Sequence, residues 1–120
     1  MASTIRPIIV TSDLDRLLRF YTQLLGATEV MRFPENGAAF YVGLALSDSG
    51  LGLSSDESVV SGAPGRMLLS IEVPDVDALL PQVPALGGES TSGATDMPWG
   101  QRVAHIKDPD GNVVNLTHQL

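Results

Sequence analysis

The chain contains no cysteine, which excludes disulfides, iron–sulfur clusters, thiolate zinc sites and cysteine nucleophiles, and fits a cytoplasmic protein. Histidine is nearly as scarce: His105 and His118 are the two in the chain, so imidazole-based metal chemistry has little to draw on. Cations are few, with 7 Lys and Arg against 14 Asp and Glu and a formal charge of −7. Sequence-independent binding to nucleic acid depends on Lys and Arg releasing counterions from phosphates, so no nucleic-acid partner is expected. No window approaches the roughly 20 apolar residues a membrane span needs, and no membrane association is expected. Met1 to Arg6 also lacks the apolar run of a secretory signal.

What is present is enough apolar material for one core. With 120 residues, 43% hydrophobic and 18% charged, a single domain over 1–120 is expected. Its organisation shows in a self-comparison. Shifted by 62 positions, Asp13, Asp15, Leu17, Leu18, Leu24 and Gly26 fall on Asp75, Asp77, Leu79, Leu80, Leu86 and Gly88, and Ile9 falls on Ile71. Tyr21 falls on the apolar Val83, and Ser47-Asp48-Ser49-Gly50 precedes Asp108-Pro109-Asp110-Gly111 by a similar offset. The expected organisation is two copies of one supersecondary unit, residues 4–57 and 66–118, joined by a linker over 58–65.

Each unit reads strand, helix, then three strands. The β-branched run Ile5 to Thr11 predicts a strand, and Asp13 predicts a helix N-cap. Leu14, Leu17, Leu18, Tyr21, Leu24 and Leu25 then repeat at helical spacing, with Gly26 as the stop. Strands follow at Ala27 to Phe33, Ala38 to Leu46 and Leu51 to Ser55, the last two joined around Asp48-Ser49-Gly50. The second copy runs Met67 to Val73, a helix from Asp75 to Leu86, a weak strand near Glu89 to Thr91, then Gln101 to Lys107 and Asn112 to His118. Pro81 and Pro84 predict a kinked or partly 3₁₀ second helix, because proline removes a backbone donor.

The fold class expected is α+β: two βαβββ modules whose helices cover one face of a curved mixed sheet, leaving a trough on the other. Asp108-Pro109-Asp110-Gly111 suits a type I turn with Gly111 in the left-handed region, so Asp108 pairs with Asn112. That register sets His105 opposite Asn115 and Val103 opposite Thr117 in the trough, with Ile106/Val114 and Ala104/Leu116 in the core. The same logic pairs Leu44 with Ser54 and Leu46 with Gly52 in the trough, and Ala45 with Leu53 in the core.

Ser12-Asp13-Leu14-Asp15 running into Arg19-Phe20-Tyr21-Thr22-Gln23-Leu24-Leu25-Gly26, followed by Asp108-Pro109-Asp110-Gly111-Asn112, resembles the vicinal-oxygen-chelate superfamily. That superfamily includes glyoxalase I, extradiol dioxygenases, fosfomycin-resistance enzymes and bleomycin-resistance proteins. The resemblance places metal-ligand positions at Arg6, Ser54 (Gly52 under a shift of two), Leu68 and Asn115. None is a His or carboxylate, whereas a divalent site wants several oxygen or imidazole donors. No metal or other cofactor is expected. Pro98-Trp99-Gly100-Gln101-Arg102 leading into the second turn is similar to metal-free bleomycin- and mitomycin-binding proteins, in which a Trp here lies against the drug. The resemblance also implies a homodimer, and a small aromatic antibiotic of the bleomycin, mitomycin or enediyne class as ligand.

Candidate ligand-binding residues follow. Trp99, on a loop braced by Pro98 and Gly100, offers a flat contact surface, with core capping as the structural alternative. Phe40 and Phe33 stand as ligand wall or as packing or dimer contacts, and both alternatives stay open. His105 and Asn115 can each donate and accept hydrogen bonds to a ligand, or satisfy one another. Arg6, Ser54, Leu44, Val103 and Leu68 complete the expected wall, while Phe20 and Tyr21 belong to the core and His118 to the surface. Arg102 is expected away from the trough. The acidic residues sit at helix starts and turns, where they cap. The glycines form no phosphate loop and no serine sits in a hydrolase context. The leading expectation is sequestration of an antibiotic without altering it, the net charge favouring a cationic guest. The alternatives are an enzyme on the same scaffold, using His105 as acid/base or a misregistered metal site, and a protein-interaction module.

Overall fold

Asp13 and Gly26 bracket the first helix as their chemistry requires. In the computed structural model, which describes residues 6–60 and 68–120, α1 spans Leu14–Leu25, and the Asp13 carboxylate accepts a hydrogen bond from the Arg16 N–H. Gly26 ends the helix at a φ of 69°, where a side chain would be strained. Leu14, Leu17, Phe20, Tyr21 and Leu24 form its buried stripe. The unit Met1–Val60 sets this helix against a four-stranded sheet of β1 (Ile8–Thr11), β2 (Thr28–Phe33), β3 (Tyr41–Leu46) and β4 (Ser49–Ser55). The spatial order is β1-β4-β3-β2, with β1 parallel to β4 and the rest antiparallel. Val42, Leu44, Leu51 and Leu53 face the helix and are buried; each such side chain contributes about 1.5–3 kcal/mol relative to exposure.

The register of this first hairpin differs from expectation. The turn is the two-residue Ser47-Asp48, and Tyr41 pairs with Ser54, Gly43 with Gly52 and Ala45 with Gly50. Ser47 takes a φ of 56°, the positive value a two-residue hairpin needs at its first central position. The expected turn at Asp48-Ser49-Gly50 shifts the pairing by an odd number of residues, which exchanges the two faces of β3. Leu44, expected in the ligand trough, is 2% exposed on the helix side, and Leu46 shares that side. Ala45, expected in the core, lies on the open side. Ser54 and Gly52 keep the face assigned to them.

The unit Ser61–Leu120 repeats the plan with a broken helix. Its strands are β5 (Leu69–Glu72), β6 (Glu89–Ser90), β7 (Thr95–Asp96), β8 (Gln101–Lys107) and β9 (Val113–Gln119). The order is β5-β9-β8-β6, with β7 also pairing with β8. The helical stretch divides into α2 (Val76–Leu79) and α3 (Gln82–Ala85) at Pro81, and Val83 N–H donates to the Leu80 carbonyl in a tight i+3 turn. Asp75 caps α2 through the Ala78 N–H. Ala104, Ile106, Val114 and Leu116 face these helices and are buried.

The β8–β9 register is the expected one, with His105 opposite Asn115 and Val103 opposite Thr117. Gly111 N–H donates to the Asp108 carbonyl and Gly111 has a φ of 86°, a type I turn closed by a left-handed glycine. β7 was not expected. It is two residues long, too short to show as an alternating pattern. His118 is not simply a surface residue: its Nδ1 accepts from the Val76 N–H at 2.9 Å, serving the first turn of α2. Ile5, Met67 and much of the expected linker 58–65 lie outside the described residues.

Candidate ligand-binding faces

Strand alternation gives each sheet one face against helix and one away from it. On the first sheet the open face carries Ile8 and Val10 from β1, Gly52 and Ser54 from β4, Tyr41 and Gly43 from β3, and Met31 and Phe33 from β2. Ile8 is 54% exposed and Phe33 55% exposed, so this is apolar surface rather than interior. Phe33 meets Phe40 edge to face with ring centroids 5.3 Å apart. Phe40 lies just before β3, and its N–H donates to the Phe33 carbonyl. Ser54 is half-buried beside Val10 and across from Tyr41.

Glycines decide how the larger groups lie on this face. A Cβ on Gly52 would stand 2.5 Å from the Tyr41 hydroxyl and 3.1 Å from Ile8 Cγ1, and one on Gly43 would stand 3.8 Å from Tyr41 Cε2. The Tyr41 ring therefore lies over Gly52, in space that any side chain there would take, and beside Gly43, where a Cβ would make only ordinary contact. Next along β4, a Cβ on Gly50 would stand 3.0 Å from Arg6 Nε. Tyr41, Gly43 and Gly50 were not among the expected site residues, whereas Gly52 was expected in the trough. The signal lay in glycines spaced by two on β4 facing Tyr41-x-Gly43 on β3, a pattern that reads as weak strand unless the glycines share a face.

On the second sheet, β5 contributes Ser70 and Glu72 to the open face, and alternation puts the exposed Leu68 with them. β8 and β9 contribute Gln101, Val103, His105, Asn115 and Thr117. Val103 shares this face but is buried, so it offers little surface to a ligand. His105 Nδ1 lies 2.6 Å from Asn115 Oδ1. Because that oxygen only accepts, Nδ1 carries the hydrogen and Nε2 is left as the acceptor of the neutral ring.

Trp99 sits at the tip of the β7–β8 hairpin. Gly100 N–H donates to the Met97 carbonyl, Met97 N–H donates to the Gln101 carbonyl, and Gly100 has a φ of 92°. This is the same three-residue turn as Pro109-Asp110-Gly111, in both cases proline, any residue, then left-handed glycine. Trp99 is 67% exposed, which sets core capping aside, and its Nε1–H donates to Gln101 Oε1 at 2.9 Å. On the opposite face, Arg102 donates to Asp96 of β7 at 2.7 Å and to Asp77 of α2 at 3.0 Å. These two carboxylates, Asp96 foremost, hold the guanidinium above its ordinary pKa.

The positions that the resemblance reserves for metal do not suit one. Arg6 lies over Gly50, Ser54 offers a single neutral hydroxyl and Gly52, its alternative, no side chain, Leu68 is aliphatic, and the Asn115 oxygen is taken by His105. Among the described residues no three His, Asp or Glu side chains cluster to hold an ion. A shallow groove of about 410 Å³ at the start of α1, lined by Ser12, Asp13, Arg32 and Ala38, is polar. Its Arg32 is tied to Glu29 by two 2.8 Å bonds, which hold the Glu29 carboxyl below its ordinary pKa.

Residues 4–116 match the family described as the Glyoxalase/Bleomycin resistance protein/Dioxygenase superfamily. The chain belongs to that superfamily. Solved structures of its fold align over nearly the whole chain. A glyoxalase/bleomycin resistance protein/dioxygenase family enzyme from Burkholderia phytofirmans PsJN is 25% identical, with a TM-score of 0.80 over 96% of this chain and 97% of that one. TioX from Micromonospora sp. ML1 is 23% identical, with a TM-score of 0.77 over 99% and 100%, and shares the fold. A hypothetical protein, SA1046, from S. aureus is 25% identical, with a TM-score of 0.76 over 98% of each chain. No curated protein matches the sequence. Among the described residues no helix is long and apolar enough to cross a membrane.

Proposed function

We propose that this superfamily member sequesters a planar, hydrophobic natural product of the bleomycin, mitomycin or enediyne class, as a homodimer, without metal and without altering the guest. The observation that carries this reading is Trp99, which is 67% exposed at the tip of a rigid turn. An indole left in water by its own fold, braced by Pro98 and Gly100 and oriented through Gln101, is a ready stacking surface with little entropy left to lose. Separately, the open face of the first sheet exposes Ile8, Val10, Met31 and Phe33, apolar area of the same character, at about 25 cal/mol per Å² before ordering costs. His105 and Asn115, on the open face of the second sheet, supply polar contacts. The test is native mass spectrometry against a panel of DNA-damaging antibiotics, followed by chromatography and NMR of the released ligand. A stoichiometric, chelator-insensitive complex that returns its ligand unchanged supports the reading, and no complex with any member overturns it.

The His105–Asn115 bond favours one second reading. With Nδ1 protonated, Nε2 can take a proton from a substrate carbon and return it elsewhere, a metal-independent isomerisation. Deuterium uptake into the recovered ligand from D₂O distinguishes this from sequestration.

A further inference from the structure

We propose that the guest on the open face of the first sheet is a planar aromatic carrying an anionic oxygen group, a carboxylate or phenolate, held by Tyr41 and Arg6. This deepens the binding reading and rests on it. Gly50 and Gly52 lie two residues apart on one face of β4, a spacing of about 6.8 Å. Over Gly52 lies the Tyr41 hydroxyl, and over Gly50 lies the Arg6 guanidinium; Cβ atoms at these positions would stand 2.5 Å and 3.0 Å from them. The two donors, from β3 and from the segment before β1, thus lie over neighbouring glycines of β4, and the missing side chains beneath let both lie low on the sheet. Ile8, Met31 and Phe33 surround them with exposed apolar surface.

The charge pattern selects the guest. The ion pairs of the described residues do not include Arg6. It is therefore a cation on an apolar face of a protein whose net charge is −7. A guanidinium so placed favours a planar pair of oxygens, which its fork matches, and repels a cationic ring. The global charge steers cations towards the protein, but contact on this face is decided by Arg6, because screened charges beyond about 8–10 Å count for little.

The test compares 2-naphthoate with its neutral isostere 2-naphthamide on the full chain, by calorimetry and by amide shifts in ¹⁵N spectra. Expected are at least about fivefold tighter binding of naphthoate, the scale of one partly exposed ion pair, and shifts centred on Gly50 and Gly52. Arg6→Gln should remove the preference, bringing the two probes to within about twofold of one another, and Tyr41→Phe should weaken naphthoate by about twofold to threefold. Equal affinities, or a preference that survives Arg6→Gln, overturn this inference and leave the binding reading standing. Failure of both probes to shift the open face overturns the two together.

Discussion

His105 and Asn115 face each other across the β8–β9 ladder, with Nδ1 and Oδ1 2.6 Å apart. The amide oxygen fixes which ring nitrogen bears hydrogen and which stays open to a guest. Asn115→Leu should therefore release the tautomer, seen as loss of a single Nδ1–H form in long-range ¹H–¹⁵N spectra. With His105 exposed, the stability change should be at the low end for one hydrogen bond, about 0.5 kcal/mol by thermal unfolding.

Trp99→Ala should separate binding from folding. An indole this exposed contributes little to the core, so unfolding should change by less than about 0.5 kcal/mol. Affinity for a bound aromatic antibiotic should fall by at least about 2 kcal/mol, the hot-spot range. Fluorescence-independent calorimetry reads both, and near-unchanged affinity would remove Trp99 from the site.

The two faces of β3 and β2 make opposite predictions. Leu44→Ala opens a cavity under α1 and should cost about 2–5 kcal/mol. Phe33→Ala removes surface that is 55% exposed and should cost far less, while weakening a ligand on the open face. Denaturant melts of the two variants decide the face assignment.

Gly52→Ala should destabilise through Tyr41, whose hydroxyl lies where the methyl must go. Overpacking of this kind costs about 1–3 kcal/mol. In a Tyr41→Ala background most of that cost should vanish, a coupling that a double-mutant cycle measures.

Acid should act on two named carboxylates. Asp56 accepts from the Ser58 hydroxyl at 2.7 Å and from its N–H at 2.9 Å, and both bonds, the hydroxyl foremost, hold its pKa below the ordinary value. Glu29 is lowered by Arg32. A depressed folded value adds stability that is fully present above the unfolded pKa and is lost as pH falls through the folded one. ¹³C carboxyl titrations should place both below the ordinary carboxylate range, and Ser58→Ala should return Asp56 towards it with no effect on Glu29.

The candidate face of the second unit was legible because Pro109-Asp110-Gly111 states its own turn geometry. Proline and a left-handed glycine leave one loop length, and that length fixes His105 against Asn115. On the first unit the glycine signal pointed the wrong way. Gly50 looks like a turn glycine after Asp48-Ser49, yet its role is steric: it makes room for Arg6. The residue that takes the positive φ is Ser47, which nothing in the sequence singles out. The Pro98-Trp99-Gly100 hairpin repeats the later turn and could have revealed β7, but its strand is too short to alternate. A kink at Pro81 needed no such inference, since the missing donor acts locally.

Arg102 joins Asp77 on α2 to Asp96 on β7, the strand that leads into the Trp99 turn. Beside its backbone pairing with β8, the arm presenting the indole is thus moored by ionic contacts open to water. Moorings of that sort slacken as electrolyte rises. An uncharged guest stacked on Trp99 should consequently dissociate faster in brine than in dilute buffer, although no ion pair forms between guest and protein.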